Sequence, residues 1–303
     1  MKPISIKIAA GIIFLMLMNS VHAQQLNPSE SQYFTNQYLS NPAMAGLVNN
    51  EFVVNTSYRS QWGQIPGSPK TMSFTGDYRF AGNVAVGLNI NSQKAGLLTQ
   101  TRCMATYAYH IKLGGEDENL RMGFSVGWTK AMLDYSTMVG EPSDEVVYAF
   151  NQKNSIWDVD AGFAYDNNGF CIQASSSNLR RVLDKNYQDV SDYQMFFTSL
   201  NYKFELSDDV KINPKIVYRG IHNYSNILDM GAELSFREPI SISGLYHSNQ
   251  SYSIGFGYLY EKKWQLICVY TSPTKDLQGM ANGTFEIGFQ FRVPKNEEKH
   301  VTF

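Results

Sequence analysis

Beyond the first two dozen residues the sequence offers few groups placed to do chemistry. Its four histidines there, His110, His222, His247 and His300, are far apart, and no two have the spacing of paired metal ligands. No HExxH, no GxSxG, no phosphate-cradling glycine loop and no dinucleotide fingerprint occurs. Ser243 and His247 share one face of an extended run, which is the start of a hydrolase pair, but four strand residues separate them by roughly 13 Å. Glu116-Asp117-Glu118 and Asp144-Glu145 have the oxygen ligands that Ca²⁺ takes, although solvated acidic turns explain them more simply. Cys103, Cys171 and Cys268 are an odd, scattered set without a CxxC motif, so they read as small hydrophobes rather than a disulfide framework. Asn55 and Asn282 match a glycosylation pattern but lie in or beside strands and carry no weight. No catalytic residue, metal ligand or cofactor is expected.

What remains is a set of charges embedded in apolar surroundings: Arg59, Arg79, Arg121, Asp158, Asp160, Lys215, Arg219 and Glu286. The elements that carry them alternate with period two. In Ser251–Tyr260, Tyr252, Ile254, Phe256, Tyr258 and Tyr260 alternate with Ser251, Ser253, Gly255, Gly257 and Leu259. The same pattern runs through Leu120–Thr129, and through Phe285, Ile287, Phe289 and Phe291 near the end. Such runs are strands with one apolar and one polar face. Fourteen are expected, over 52–59, 70–80, 83–92, 99–112, 119–133, 156–165, 169–177, 193–205, 210–220, 226–236, 239–247, 251–260, 263–272 and 283–292. The eighth breaks phase between Phe197 and Leu200.

Two folds could use this alternation: a soluble sandwich burying the aromatic face, or a membrane barrel turning it to lipid. Most of the runs match the roughly 9–11 residues that a tilted strand needs to cross hydrocarbon. An Arg or Lys facing mid-bilayer would cost about 2–4 kcal/mol, so the charged face must line a polar lumen. Connections after even strands are short and the long ones follow odd strands, although Ser248–Gln250 breaks the rule. This is the asymmetry of outer-membrane barrels, whose short turns are periplasmic. The fold expected is therefore all-β, a transmembrane antiparallel β-barrel of about fourteen strands, with both mature termini periplasmic. The apolar residues Phe285, Ile287, Phe289 and Phe291 are assigned to lipid.

Composition agrees. With 14% aromatic and 17% charged residues, and a formal net charge of −2, nothing suggests a nucleic-acid partner. Lys2 and Lys7, the apolar stretch Ile8 to Met18 and the Val21-His22-Ala23 site read as a secretory signal peptide. The expected organisation is a signal peptide over 1–23, a periplasmic or lumen-packed segment over 24–50, the barrel over 51–293, and a polar tail over 294–303.

The segment before the first strand is irregular yet particular. Pro42 fixes its own φ and biases Asn41 away from helix, and Gly46 can supply a conformation that other residues resist. Phe34, Tyr38 and Leu39 are interleaved with these turn formers, which a loose linker would not need. Phe34-Thr35-Asn36-Gln37-Tyr38 and Leu39-Ser40-Asn41-Pro42-Ala43-Met44-Ala45-Gly46 resemble the start of the PorP/SprF family, outer-membrane proteins of the type IX secretion system in Bacteroidota. The resemblance continues in order through Tyr58-Arg59-Ser60-Gln61-Trp62, Pro69-Lys70-Thr71 with Ser73-Phe74, Tyr107-Ala108-Tyr109-His110 and Gly283-Thr284-Phe285-Glu286-Ile287. It runs from about residue 32 to 292. Met44 stands where the family usually has an aromatic, and Phe285 where it has His.

The resemblance implies a non-enzymatic barrel in the cell outer membrane, attached to the secretion and gliding machinery. Its partners would be outer-membrane lipid, periplasmic type IX components and a secreted or surface-anchored cargo protein. A second class stays open: a passive channel or hydrophobic-substrate transporter with an N-terminal hatch. Residues 32–47 are expected to fold against the periplasmic mouth or into the lumen, with Phe34, Tyr38, Asn41, Pro42, Ala43 and Gly46 as the candidate partner-binding segment. Strand one spans ~27 Å, so a segment held at the mouth would not reach its far end. Arg59, Gln61 and Trp62 are accordingly assigned to the outer rim.

Overall fold

A computed structural model describes residues 32–49, 51–80, 82–114, 117–134, 149–152, 155–180, 195–221, 226–237 and 239–294. The expected signal peptide, residues 24–31, Glu116, Asp144-Glu145, His222, His300, the tail after Pro294 and most of the two longest loops lie outside these.

Strands form where the alternation places them: β1 (Glu51–Gln61), β2 (Lys70–Arg79), β3 (Val84–Ala95), β4 (Leu98–Lys112), β5 (Asn119–Leu133), β6 (Ile156–Asn167) and β7 (Phe170–Ser177). They continue with β8 (Met195–Tyr202), β9 (Phe204–Ser207), β10 (Val210–Ile221), β11 (Ile227–Phe236), β12 (Ile240–His247), β13 (Ser251–Tyr260), β14 (Trp264–Thr271) and β15 (Thr284–Pro294). All pairings are antiparallel, and β15 returns to pair with β1 from Glu51↔Pro294 to Gln61↔Thr284, closing the sheet. Closure satisfies every edge, which is what a sheet in hydrocarbon requires. Both β8 and β9 pair with β10, so together they make one stave of a fourteen-stave barrel.

The wall has the polarity expected of it. In β13 the side chains of Tyr252, Ile254 and Phe256 are exposed outward, whereas Ser251 and Ser253 are buried inside. On β15, Phe285, Ile287 and Phe289 face outward, while Glu286 and Gln290 are buried. One rim carries tight turns, including Asn168-Gly169, where φ values of 45° and 85° meet the need of a two-residue hairpin for positive φ at both positions. The other rim carries the long connections, but Gly96-Leu97 is a second short exception beside Ser248–Gln250.

The eighth strand differs from its sequence reading. Its phase is unbroken from Phe196 to Tyr202: Phe196 and Leu200 point outward, and Phe197, Ser199 and Asn201 inward. An aromatic ring tolerates the inner face because Tyr33 lies against Phe197, with ring centroids 6.0 Å apart. The real interruption is at Lys203, whose N–H bonds to the Gly169 carbonyl, with a register shift opposite Val210/Lys211.

Candidate functional site

The lumen is filled by the chain's own amino-terminal segment. Residues 32–46, here called the strap, run through the barrel and touch β2, β3, β4, β5, β6, β7, β10, β11 and β15. The path has a direction. Gln32 donates to Glu286 and Tyr33 to Asp229, and each acceptor is the third residue from the long-loop end of its strand. At the other end Gly46 N–H donates to Asp77 and the Ala45 carbonyl meets His110 Nε2. Those two wall residues are each third from the short-turn end.

The lower half of the strap sits on a hollow made of missing side chains. Asn41 opens a single 3-10 turn, Pro42–Met44, by accepting the Ala43 N–H at 3.0 Å, while its amide group donates to the Phe163 carbonyl. Under that turn Ala85, Ala108, Gly123 and Gly162 are register neighbours across β3 to β6, with Gly87 and Ala164 beside them. A β-carbon on Gly123 would overlap the Pro42 carbonyl carbon and the Ala43 nitrogen, and one on Gly162 would overlap Asn41 Oδ1. Gly87 makes room for the Tyr38 phenol, which donates to Thr106 at 2.6 Å. Gly46 closes the turn at φ +69°, and a side chain there would collide with Ala85 and Arg79. Tyr38, Ala43, Met44 and Ala45 form one apolar cluster with Ala85, Ala108, Ala164 and Cys171.

The upper half is held by polar groups beside a buried apolar cluster of Tyr33, Phe197, Val217 and Leu245, against which Phe34 packs. The Tyr33 carbonyl accepts from Lys215 Nζ at 2.7 Å, and its hydroxyl reaches Asp229 at 2.9 Å. Phe34 lies under the same ammonium, 5.5 Å from ring centroid to nitrogen. Asp229, fully buried, also takes Arg219 and the His247 Nδ1 atom, and His247 Nε2 is 2.7 Å from Ser253 Oγ. Asp, His and Ser are thus in relay order, and the serine that His247 meets is Ser253 rather than Ser243. The arrangement is a brace. The Asp229 carboxylate is shared with a guanidinium and a phenol, Ser253 is 3% exposed, and strand amides point along the ladder rather than converging on a developing oxyanion. Across the lumen Arg102 clamps Asp158 and Asp160 with contacts of 2.7–3.0 Å, and Arg121 pairs with Asp166. Pairing of this kind makes a mixed-sign interior tolerable. Among the described residues no group of three His, Cys, Asp or Glu side chains comes together as a metal site.

The residues singled out from sequence therefore part company. Tyr38, Asn41, Pro42, Ala43 and Gly46 are buried at the seat and Phe34 is half-buried above it, so none presents an open surface at the short-turn mouth. Arg59 and Gln61 are buried at the far end of β1, with Trp62 just beyond in a positive-φ turn, where its N–H bonds to the Gly283 carbonyl. The segment does not stay at the mouth. Gln32 bonds to Glu286, the register partner of Arg59, so the distance argued from strand length does not separate them. Sequence reasoning missed the seat glycines and alanines. The available signal was the gathering of small residues on the inner face of four successive strands.

A model of the family described as type IX secretion system membrane protein PorP/SprF matches residues 21–291. No curated protein matches the chain. Among solved structures, the Acinetobacter baumannii outer membrane protein Omp33 aligns with 81% of this chain and 100% of its own length, at 9% identity and a TM-score of 0.48. The KdgM porin aligns with 79% of this chain and 98% of its own, at 9% identity and a TM-score of 0.40. A mutant Rh. blastica porin aligns with 80% and 99%, at 9% identity and a TM-score of 0.37.

Proposed function

Because the chain belongs to the type IX secretion system membrane protein PorP/SprF family, we propose that its barrel serves that machinery as a closed adaptor for cargo rather than as a channel. Its place as an outer-membrane β-barrel component of type IX secretion follows from the family and the closed fold. The adaptor role is our reading. The observation that supports it is the strap, which crosses the lumen and takes up wall groups that would otherwise face water.

On this reading Phe34, Tyr38, Asn41, Pro42, Ala43 and Gly46 contribute to partner binding from within, by keeping the barrel filled and its rims in register. Direct contact with periplasmic components falls to the short-turn rim around exposed Leu47, Phe80 and Leu113. Cargo would meet the long-loop rim, where Trp62 joins the loop before β15 through its bond to Gly283 and Gln61 pairs with Thr284 at the start of β15. Arg59 braces that end of β1 from inside. The non-enzymatic assignment is part of the same proposal.

The test is affinity purification of the full chain from native outer membranes in mild detergent, with single-channel recording of the same sample. Co-purifying periplasmic secretion components and cargo, with no steady conductance, are expected. A porin-like conductance with no secretion component retained would favour the channel reading instead.

A further inference from the structure

Both halves of the strap pack apolar side chains against the wall, but they differ in what their release would leave exposed. Lifting Asn41–Gly46 would open an apolar hollow over Gly123 and Gly162, and would deprive Asp77 of the Gly46 N–H and His110 of the Ala45 carbonyl. This half is also tethered, since only residues 47–50 separate it from β1. In Gln32–Thr35 the anchor of the Tyr33 hydroxyl, Asp229, keeps other partners. Without Tyr33, Asp229 still has Arg219 and His247. Without Gln32, Glu286 still faces Arg59 across the β1–β15 pair. Lys215 stands one diagonal step from Glu233 on the same inner face. Losing a hydrogen bond costs little when the buried group stays satisfied and much when it does not.

We propose that the strap releases from its Gln32 end first, opening a vestibule toward the long-loop mouth while the seat keeps the short-turn mouth shut. The vacated positions then form a binding site for a short peptide turn, the shape Gln32–Asn36 takes with the Thr35 and Asn36 N–H groups on the Gln32 carbonyl. Glu286 and Asp229 accept from an amide and an aromatic hydroxyl on successive residues, Lys215 donates to the carbonyl of the aromatic residue, and Phe197 packs the ring. Gln32-Tyr33-Phe34 is the ligand the chain supplies to itself. A partner segment of the same chemistry entering from the long-loop side would compete for the site without creating a through-pore.

Hydrogen exchange on the full-length barrel in lipid nanodiscs tests this. Amides of residues 32–36 should exchange about tenfold or more faster than those of 41–46, because they open in a smaller local event. Tyr33→Phe should widen that gap and leave 41–46 unchanged. A synthetic peptide covering Ser31–Tyr38 should bind the Y33F barrel more tightly than wild type, and a scrambled peptide should bind neither. Exchange of 41–46 as fast as that of 32–36 would overturn the proposal, as would failure of the native peptide to outbind the scrambled one. These readouts need no secretion partner, so they stand or fall separately from the adaptor reading.

Discussion

Asn41 lies directly over Gly162: a β-carbon on that glycine would occupy the place of Asn41 Oδ1, the atom that caps the Pro42–Met44 turn. The wall of the barrel is thus carved, residue by residue, to the shape of the strap.

That relationship makes Gly162→Val a sharp probe. Overpacking at a fitted site costs about 1–3 kcal/mol, so the urea midpoint of the folded barrel should fall. Gly288→Ala is the control, because a β-carbon there meets its nearest neighbour at an ordinary 3.6 Å. Equal midpoints for both variants would mean that the strap does not rest on Gly162.

The β1–β15 seam tests the facing of the wall. Ile287 is 56% exposed on the outer face, and Gly288 beside it points inward between Glu286 and Gln290. Arg at 287 should block assembly into liposomes, at a cost of about 2–4 kcal/mol near mid-bilayer. Arg at 288 should be tolerated better, having Glu286 as a neighbour on its face. Equal assembly of the two would contradict the inward and outward assignment.

How far the sequence carried this account depended on the kind of signal. Strand positions were legible because a period of two leaves no freedom. Ser251–Tyr260 and Asn119–Leu133 have the bounds read from alternation alone. The lumen charges were legible because only an aqueous or paired interior tolerates them. Phe197 misled because one strand's pattern holds no trace of Tyr33, a residue from far along the chain that makes an inward ring stable. The same long range hid the seat. A glycine in a strand shows that something approaches closely, but not what does.

Buried charge supplies a third probe. Arg219 and Asp229 are buried together, with contacts of 2.9–3.2 Å. Asp229→Asn leaves the guanidinium without its counter-charge, and breaking a buried pair in this way costs about 3–5 kcal/mol. The double variant Arg219→Met with Asp229→Leu should recover part of the loss, as read by the denaturation midpoint. A double variant less stable than D229N would show that Arg219 is supported mainly by other groups.

Orientation follows from the unequal rims. Met280, 77% exposed between β14 and β15, sits on the long-loop side, and Asp117 lies in the turn between β4 and β5. On intact cells a membrane-impermeant maleimide should label Met280→Cys and spare Asp117→Cys. The reverse pattern would invert the barrel, and with it the side on which Gln32 stands.

The most direct measurement of the central claim, that the strap closes the lumen, is single-channel conductance of the wild-type barrel beside a variant lacking residues 32–46 behind an intact leader. Gly123→Leu, which keeps the full chain but fills the seat, serves as a second variant should the deletion fail to assemble. Wild type should stay electrically silent, with steady openings once the strap is removed or unseated. Steady porin-like openings of the same size in wild type and variant would contradict the account.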